Sequence, residues 1–189
     1  MFNLLETIYV KDKKARYIEY HNKRLNRVRE ELFGAKDFIE LSSLISPPTD
    51  DIYRCRVIYN INIVSIEYIP YIYKEINILS FVDSDVDYRY KYEDREELNS
   101  LKSKNSDDVI IIRNGLITDT TIANIAFLHQ GSWITPNIPL LEGTIRERLI
   151  NSGLLIERDI KKDEILSFNG IALMNAMVGF KIIKPILID

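Results

Sequence analysis

The sequence predicts an α+β fold built from two small α/β subdomains with mainly antiparallel or mixed sheets. Short segments rich in Ile, Val, Thr and Tyr recur along the chain, and such segments favour strands. Turn pairs, Asn114-Gly115 and Gln130-Gly131, join several of these segments as hairpins. Segments with the apolar spacing of helices lie apart from the hairpins, and this separation is typical of α+β proteins.

The first half of the chain begins with a strand and a helix. Residues 2–10 favour a strand, and residues 15–19 favour a short return strand after a polar turn. Apolar residues recur at three- and four-residue spacing over 21–33, which predicts an amphipathic helix with Gly34 as its C-cap. A second helix is expected over 37–44, before a pair of prolines.

A hairpin and a domain boundary follow. Residues 53–59 and 63–68 alternate β-formers with polar residues and predict a hairpin, with a third strand at 76–82. The acidic stretch 83–87 is the candidate boundary, and a solvated loop inside one domain is the alternative. The boundary would give a small N-terminal subdomain and a larger C-terminal one, residues 1–84 and 85–189.

The second half is expected to hold most of the strands. Its helices are expected over 95–104, 143–152 and 162–166. Its strands are expected at 109–112, 116–117, 125–129, 133–135, 154–156, 171–175 and 181–188.

Composition excludes several classes of function. The chain has 189 residues, and its 25 basic and 28 acidic side chains argue against a basic nucleic-acid binder. One cysteine and two distant histidines argue against a metal site. No apolar run reaches the length of a membrane span, and an acid as early as Glu6 is unlike a signal peptide. We therefore expect a cytoplasmic protein that binds no metal, membrane or nucleic acid.

Lys91 is the first candidate for chemistry. It lies between Tyr90 and Tyr92, after a predicted strand and before a predicted helix. A partly dry pocket would favour the neutral amine that a nucleophilic lysine needs. The alternative is an exposed lysine stacked along the two tyrosine rings.

Asp119 and Asn124 form the second candidate. They lie in an irregular Thr- and Ala-rich segment between two apolar strands, and its backbone groups must find hydrogen-bond partners. Asn124 is suited to bridge such a segment internally. The alternative for Asp119 is an ordinary turn or cap aspartate.

Thr144 and Ile145 form the third candidate. Gly143 precedes them where a helix begins, so their N–H groups would point outward and could bind an anion. The alternative is a plain helix start with Thr144 as its N-cap.

Together and in this order, these features resemble the aminotransferase class IV family, the fold-type IV pyridoxal-phosphate enzymes. The family includes branched-chain and D-amino-acid aminotransferases and 4-amino-4-deoxychorismate lyase. Six motifs over most of the chain carry the resemblance: Glu6-Thr-Ile8 with His21-x-x-Arg24-Leu25, Lys91-x-x-Asp94-Arg95, Asn114-Gly to Asn124-Ile, Thr135-Pro136, Leu140-Leu-x-Gly-Thr-Ile-Arg146 and Asn175-Ala176-Met177.

The resemblance implies a D-amino-acid aminotransferase-like fold and a role for each matching residue. Lys91 would bind pyridoxal 5'-phosphate covalently and shuttle the proton, and Arg24 would grip the phosphate. Thr144 and Ile145 would complete the phosphate cup, which Asn175 and Ala176 would close. Leu141 would pack against the pyridine ring, and Asn124 would be a further cofactor-binding residue. Asp119 would pair with the ring nitrogen, where the family pattern has glutamate.

The same resemblance implies a reaction class. The short chain and the Lys91-x-x-Asp94-Arg95 motif are similar to 4-amino-4-deoxychorismate lyases of folate synthesis, which release pyruvate and 4-aminobenzoate from a small-molecule amine. An aminotransferase of branched-chain or D-amino acid type would use the same site residues. A non-catalytic protein with this fold is the third alternative.

Substrate contacts and the oligomeric state are the last expectations. Arg54 and Arg56 share one face of a predicted strand near Tyr59, and guanidinium groups suit a substrate with two carboxylates. A cross-strand pair of Arg56 with Glu67 is the alternative. His21 is expected to be a packing residue. Family members are dimers, so a homodimer is expected.

Overall fold

The computed structural model describes residues 2–188 as two compact units. Residues 2–73 and 90–94 form unit 1, and residues 74–89 and 95–188 form unit 2. No helix within the described part of the chain is long and apolar enough to cross a bilayer. Both units combine sheets with short helices, so the predicted α+β class is confirmed.

Unit 1 is a four-stranded antiparallel sheet covered by one long helix. Its elements are β1 Leu4–Lys11, β2 Lys14–Ala15, α1 Ile18–Phe33, a 3₁₀ turn Leu41–Ser43, β3 Tyr53–Tyr59 and β4 Ile63–Pro70. The strand order is β2-β1-β3-β4. Alternate residues of β1 and β3 pack against Leu25 and Val28 of α1, and this contact forms the core of the unit.

Unit 2 contains a mixed nine-stranded sheet. Its elements are β5 Ile78–Asp83, α2 Glu96–Ser100, β6 Asp108–Arg113, β7 Leu116–Thr120, β8 Asn124–His129, β9 Ser132–Pro136, α3 Thr144–Asn151, β10 Leu155–Arg158, a 3₁₀ helix Lys162–Ser167, β11 Gly170–Asn175, β12 Gly179–Ile183 and β13 Ile186–Ile188. The strand order is β10-β9-β8-β7-β6-β5-β13, and β11 pairs with both β8 and β12. Three pairs are parallel: β5 with β6, β5 with β13, and β9 with β10.

Two predicted hairpin turns and one predicted cap have the expected backbone. Asn114 and Gly115 have φ of 52° and 76° between β6 and β7, and Gly131 has φ of 82° between β8 and β9. Gly34 ends α1 at φ of 70°, with its N–H bonded to the carbonyls of the last helical turn. Local backbone chemistry alone explains these features.

The division between the units differs from the predicted 84/85 boundary. The predicted third strand of the first half, β5, pairs with β6 and β13 and therefore belongs to unit 2. Residues 90–94 return to unit 1, because the Leu5 N–H donates to the Lys91 carbonyl at 2.8 Å and the Glu93 N–H donates to the Asn3 carbonyl at 3.0 Å.

The predicted elements near α1 and α2 are also corrected. Helix α1 begins at Ile18, where the sequence predicts residue 21. Residues 18 and 19, expected in the return strand, therefore belong to α1, and β2 ends at Ala15. Helix α2 is only five residues long, against the ten predicted over 95–104. The helix predicted over 37–44 is wrong: only the 3₁₀ turn Leu41–Ser43 forms. The Asn26 side-chain amide accepts the N–H of Ile39 and donates to the carbonyl of Ile39, and Oδ1 of Asn22 accepts the Leu41 N–H. These contacts with α1 replace the hydrogen bonds of a helix.

Candidate active site

Two clusters of hydrogen-bonded residues, one in each unit, contain four of the candidate residues: Arg24, Asp119, Asn124 and Leu141. We call Glu6, His21 and Arg24 of unit 1 the Glu6 cluster. We call Asp119, Asn124 and Leu141 of unit 2 the Asp119 cluster. Lys91 lies in unit 1, and the helix start at Thr144 and Ile145 lies in unit 2.

The Glu6 cluster forms where β1 meets α1. Strand alternation places Glu6 on the same face as the core residues Leu4 and Ile8. His21 and Arg24 are three residues apart in α1 and therefore lie on one helix face. The sequence thus brings a carboxylate, an imidazole and a guanidinium together inside the core.

Hydrogen bonds of the Glu6 carboxylate engage both other members of the cluster. Arg24 donates through Nε to Oε1 at 2.7 Å and through Nη2 to Oε2 at 2.7 Å, and the Nδ1 atom of His21 lies 2.6 Å from Oε2. Burial opposes the charge on Glu6, but the Arg24 charge and these hydrogen bonds together lower its pKa to about 2. Glu6 is therefore ionised at neutral pH.

His21 is held as a neutral ring. Burial lowers the pKa of His21, and the opposing effect of Glu6 does not offset it. Because the ionised carboxylate can only accept, the neutral ring donates its Nδ1–H to Glu6. The expected packing position of His21 is confirmed in part: the side chain is buried, and it also completes a polar network.

Lys91 lies beside this cluster, on a short segment that pairs with the first residues of β1. Its carbonyl accepts the Leu5 N–H, and Tyr92 forms a single bridge with Leu4. The rings of Tyr90 and Tyr92 are 6.2 Å apart and nearly perpendicular, and the Lys91 side chain is half-buried. The Lys91 charge contributes to the lowered pKa of His21, so the ammonium group lies close to the Glu6 cluster.

The Asp119 cluster binds both oxygens of one carboxylate. Asn124 Nδ2 donates to Oδ1 of Asp119 at 2.7 Å and also to the Leu141 carbonyl at 2.8 Å, while the Leu141 N–H donates to Oδ2 at 2.9 Å. Asp119 is 3% exposed. Burial raises the pKa of Asp119 to about 7, although these donors and the nearby Arg146 charge lower it in part.

Gly143 is required by the position of Asn124. A Cβ atom on Gly143 would lie 1.9 Å from Oδ1 of Asn124, which no real contact permits. The glycine therefore allows the amide to reach Asp119 and Leu141 together. The sequence predicts only a helix entry at Gly143, and the close contact with Asn124 is visible only in the structure.

Helix α3 starts immediately after Gly143. Thr144 and Ile145 are buried in its first turn, and the N-cap glycine has no side chain to cap their N–H groups. The Gly143 carbonyl accepts the first helical hydrogen bond, from Glu147 N–H at 2.9 Å. Thr144 is thus the first helical residue and not the N-cap, so the plain-start alternative is wrong about its cap.

Asn175 and Ala176 lie where β11 turns into β12. The Asn175 side-chain oxygen accepts the N–H groups of Met177 and Val178 at 2.9 and 3.1 Å, and its Nδ2 donates to the Ile122 carbonyl at 3.1 Å. Asn175 therefore shapes the turn that contains Ala176 and ties it to the segment before Asn124.

The substrate candidates on β3 separate into two groups. Arg56 donates to Glu67 at 2.7 Å across the β3–β4 pair, which is the alternative that the sequence left open. Arg54 is exposed on the same face. The prediction that Tyr59 contacts substrate is wrong. Tyr59 is 1% exposed and packs in the core on the opposite face of β3, because odd-numbered residues of this strand face α1.

Leu141 and Glu6 show what sequence reasoning missed. The resemblance gives a role to the Leu141 side chain, which stays a prediction; the structure adds that the Leu141 backbone N–H and carbonyl hold the Asp119 cluster together. Glu6 was not expected to be a site residue. An acid on the apolar face of a strand, with a basic residue on a following amphipathic helix, was the signal that could have identified it.

Comparisons with known proteins bear on the family to which this chain belongs. The amino-transferase class IV family model matches residues 96–186. A crystal structure of a "putative 4-amino-4-deoxychorismate lyase" from Haemophilus somnus superposes with a TM-score of 0.84 at 33% identity, covering 95% of this chain and 98% of that chain.

Two further proteins extend the comparison. An uncharacterised protein of Haemophilus influenzae is 36% identical over 95% of this chain and 100% of its own length. A hypothetical aminotransferase from Mycobacterium tuberculosis, solved in its PLP-bound form, shares the fold with a TM-score of 0.77 at 16% identity, covering 98% and 81% of the two chains. From the motifs, the fold and the near full-length match at 33% identity, we conclude that this chain is an enzyme of the aminotransferase class IV family.

Proposed function

We propose that this enzyme uses pyridoxal 5'-phosphate and acts as a 4-amino-4-deoxychorismate lyase in folate synthesis. The observation that carries the cofactor proposal is the Asp119 cluster. Asp119 is a buried carboxylate whose described hydrogen-bond donors are an amide and backbone N–H groups, and burial raises its pKa to about 7. Such a group favours a cationic ligand that would restore its charge, and a protonated pyridine nitrogen is such a cation.

Each unit, taken by itself, offers groups that suit other parts of the cofactor. In unit 1, Lys91 offers a half-buried amine and Arg24 a guanidinium fixed by Glu6. In unit 2, the uncapped first turn of α3 offers N–H groups suited to a phosphate. We assign covalent attachment to Lys91 and phosphate binding to Arg24, Thr144 and Ile145.

The proposed roles follow from what each group can do. When bound, the cofactor supplies an electron sink for the substrate's reacting bond. Asp119 would accept a hydrogen bond from the ring nitrogen and so keep the proton there. Lys91 Nζ would take the proton from the substrate ring carbon that bears the amine and return it to the enolpyruvyl group as the neighbouring C–O bond breaks, so that pyruvate leaves and the ring becomes aromatic as 4-aminobenzoate.

The choice of lyase over aminotransferase depends on two similarities, one to a relative and one to a family motif. The Haemophilus somnus relative, matched over nearly its whole length, is named for the lyase reaction. The Lys91-x-x-Asp94-Arg95 motif resembles the lyase form of the family pattern. Both observations favour elimination of pyruvate over amino-group transfer.

A product assay separates the two reactions. Purified enzyme loaded with pyridoxal 5'-phosphate is mixed with 4-amino-4-deoxychorismate, and in parallel with pairs of amino acids and keto acids. We expect 4-aminobenzoate and pyruvate in equal amounts from the first mixture only. Amino-group exchange in the second mixtures, without product in the first, would replace the lyase with an aminotransferase.

The lysine assignment has its own test. We expect the loaded enzyme to have a visible absorbance band that borohydride abolishes, and peptide mapping to find the reduced cofactor on Lys91. Lys91→Ala should lose both the band and turnover. A labelled lysine elsewhere, with the band retained in Lys91→Ala, would remove Lys91 from this role.

We also propose a homodimer. Strand β4 lies at the edge of its sheet and leaves apolar side chains such as Val64 53% exposed. Sedimentation should give twice the mass of one chain, whereas the mass of a single chain at micromolar concentration would contradict this proposal.

A further inference from the structure

The Glu6 carboxylate fixes the plane of the Arg24 guanidinium. Both contacts are 2.7 Å long, one from Nε and one from Nη2, and they form the bidentate arrangement that gives a guanidinium a single orientation. The two side chains are 0% and 7% exposed. Because the guanidinium is planar and rigid, these two contacts also set the direction of its Nη1 group.

His21 fixes Glu6 in turn. Its Nδ1–H donates to Oε2 at 2.6 Å, so this oxygen accepts from His21 and Arg24 together. The side chain of His21 is 1% exposed. The carboxylate is therefore held on two sides by residues one helical turn apart in α1, and it has no freedom to follow a movement of Arg24.

This network is poorly explained by stability alone. Desolvating a carboxylate and a guanidinium costs about as much as their attraction returns, and apolar residues of similar volume often stabilise a core as well or better. An oriented guanidinium in a cluster that the Lys91 charge also reaches, through its effect on His21, has a use that an apolar core lacks. A guanidinium that is already held in one orientation binds a phosphate without a further loss of side-chain entropy on binding.

We propose that Glu6 is a positioning residue for phosphate binding by Arg24, and that His21 fixes Glu6 for this purpose. The proposal rests on the proposed function, because it takes the phosphate to be that of pyridoxal 5'-phosphate. It predicts that Glu6 contributes to phosphate affinity without touching the phosphate.

The test compares pyridoxal 5'-phosphate with pyridoxal, which lacks the phosphate. The dissociation constant of each compound is measured by absorbance titration. The constant for pyridoxal divided by the constant for pyridoxal 5'-phosphate is the ratio that isolates the phosphate contribution. In Glu6→Gln this ratio should fall on the order of tenfold, because the amide presents a donor where Arg24 needs an acceptor. In Arg24→Ala it should fall at least as far, and Glu6→Gln should add nothing to Arg24→Ala.

Two controls separate positioning from a purely structural role. Glu67→Gln breaks the partly exposed Arg56–Glu67 pair of the same unit and should leave the ratio unchanged. Glu6→Asp keeps the charge but withdraws the carboxylate by one methylene, so it should lower the ratio and serves if Glu6→Gln does not fold. Urea unfolding of every variant reports stability separately.

The outcomes distinguish this inference from the proposed function. If the wild-type enzyme binds neither compound, or both equally well, the proposed function fails. If the wild type prefers the phosphorylated compound but Glu6→Gln and Glu6→Asp keep its ratio, the positioning role is wrong and the proposed function stands. An equal loss of affinity for both compounds would make Glu6 a structural residue only.

Discussion

The Glu6 and Asp119 clusters hold the same functional group in opposite electrostatic states. Both carboxylates are almost fully buried, at 0% and 3% exposure. Glu6 has a guanidinium as a bidentate partner, and its pKa falls to about 2 despite burial. Asp119 is bonded by an amide and backbone N–H groups, and burial raises its pKa to about 7.

The two carboxylates therefore suit different roles. Glu6 suits an internal structural role, and Asp119 suits direct contact with a cationic ligand. The charge of Glu6 is compensated within the protein, so Glu6 has no need of a ligand. The charge of Asp119 is compensated only in part, because Arg146 is hydrogen-bonded to Glu157 and to the Pro136 carbonyl. Asp119 therefore gains most from an external cation, which is the property expected of the group that faces the cofactor nitrogen.

Turnover should respond most strongly to loss of the Asp119 charge. Asp119→Asn keeps the shape of the side chain and should still bind the cofactor, but an amide cannot hold the ring nitrogen protonated. We expect a loss of about 10²- to 10⁴-fold in kcat, measured at saturating cofactor. Glu6→Gln at saturating cofactor should stay within a few-fold of wild type. Full activity in Asp119→Asn would make the aspartate a turn residue.

The stability of the cofactor-free protein should depend on pH through Asp119. Its folded pKa of about 7 lies above its ordinary value of 3.8, so the stabilisation is complete below pH 3.8 and is lost as pH rises to about 7. The lost free energy of unfolding is about 4 kcal/mol relative to Asp119→Asn. Urea unfolding of both proteins from pH 4 to pH 8 measures it, because all other titrations are shared. A constant difference across this range would contradict the raised pKa.

Glu6 should show the opposite pH dependence. Its folded pKa of about 2 lies below 4.5, so its contribution is complete above pH 4.5 and is lost as pH falls toward 2. The difference in unfolding free energy between wild type and Glu6→Gln should therefore be constant from pH 7 to pH 8, above the titration of His21, whose pKa also depends on Glu6. A slope in that range would show that Glu6 is not ionised in the folded protein.

Gly143→Ala should disturb the Asp119 cluster without touching its charge. The new methyl group would displace Asn124, which loses its contacts with Asp119 and Leu141. We expect a loss of about 3 kcal/mol in the free energy of unfolding at pH 8, where Asp119 is ionised. Asn124→Ala in the same background should cost little more, because the contact is already broken. Independent, additive losses would show that Gly143 acts elsewhere.

Asp119→Glu should have the smallest effect. It restores the residue of the common family pattern and keeps the charge, but adds one methylene to a packed site. We expect a cost of about 1 kcal/mol, which is roughly a tenfold lower kcat. A loss as large as that of Asp119→Asn would mean that position, and not charge, decides the role of residue 119.

Local backbone chemistry explains which parts of the fold could be predicted. The turn at Asn114-Gly115 and the cap at Gly34 depend on residues that accept positive φ, and this preference is visible in a sequence. The helix expected over 37–44 failed because the side chains of Asn22 and Asn26 bind that segment from α1. Such distant side-chain contacts leave no periodic signal.

The site shows the same division. The residues with family roles could be placed along the sequence by their motifs. The contacts that define the clusters join Glu6 with Arg24, 18 residues apart, and Asp119 with Leu141, 22 residues apart. A motif identifies such residues. Only the three-dimensional structure shows that Glu6 has a bidentate cationic partner and that Asp119 has none of equal strength.

We propose that Asp119 holds a proton on the cofactor ring nitrogen. Nuclear magnetic resonance of the enzyme loaded with pyridoxal 5'-phosphate labelled with ¹⁵N in the ring measures that protonation directly. We predict a protonated ring nitrogen in the wild type at pH 8 and in Asp119→Glu, and an unprotonated one in Asp119→Asn. An unprotonated nitrogen in the wild type, or a protonated one in Asp119→Asn, would contradict the role given to Asp119.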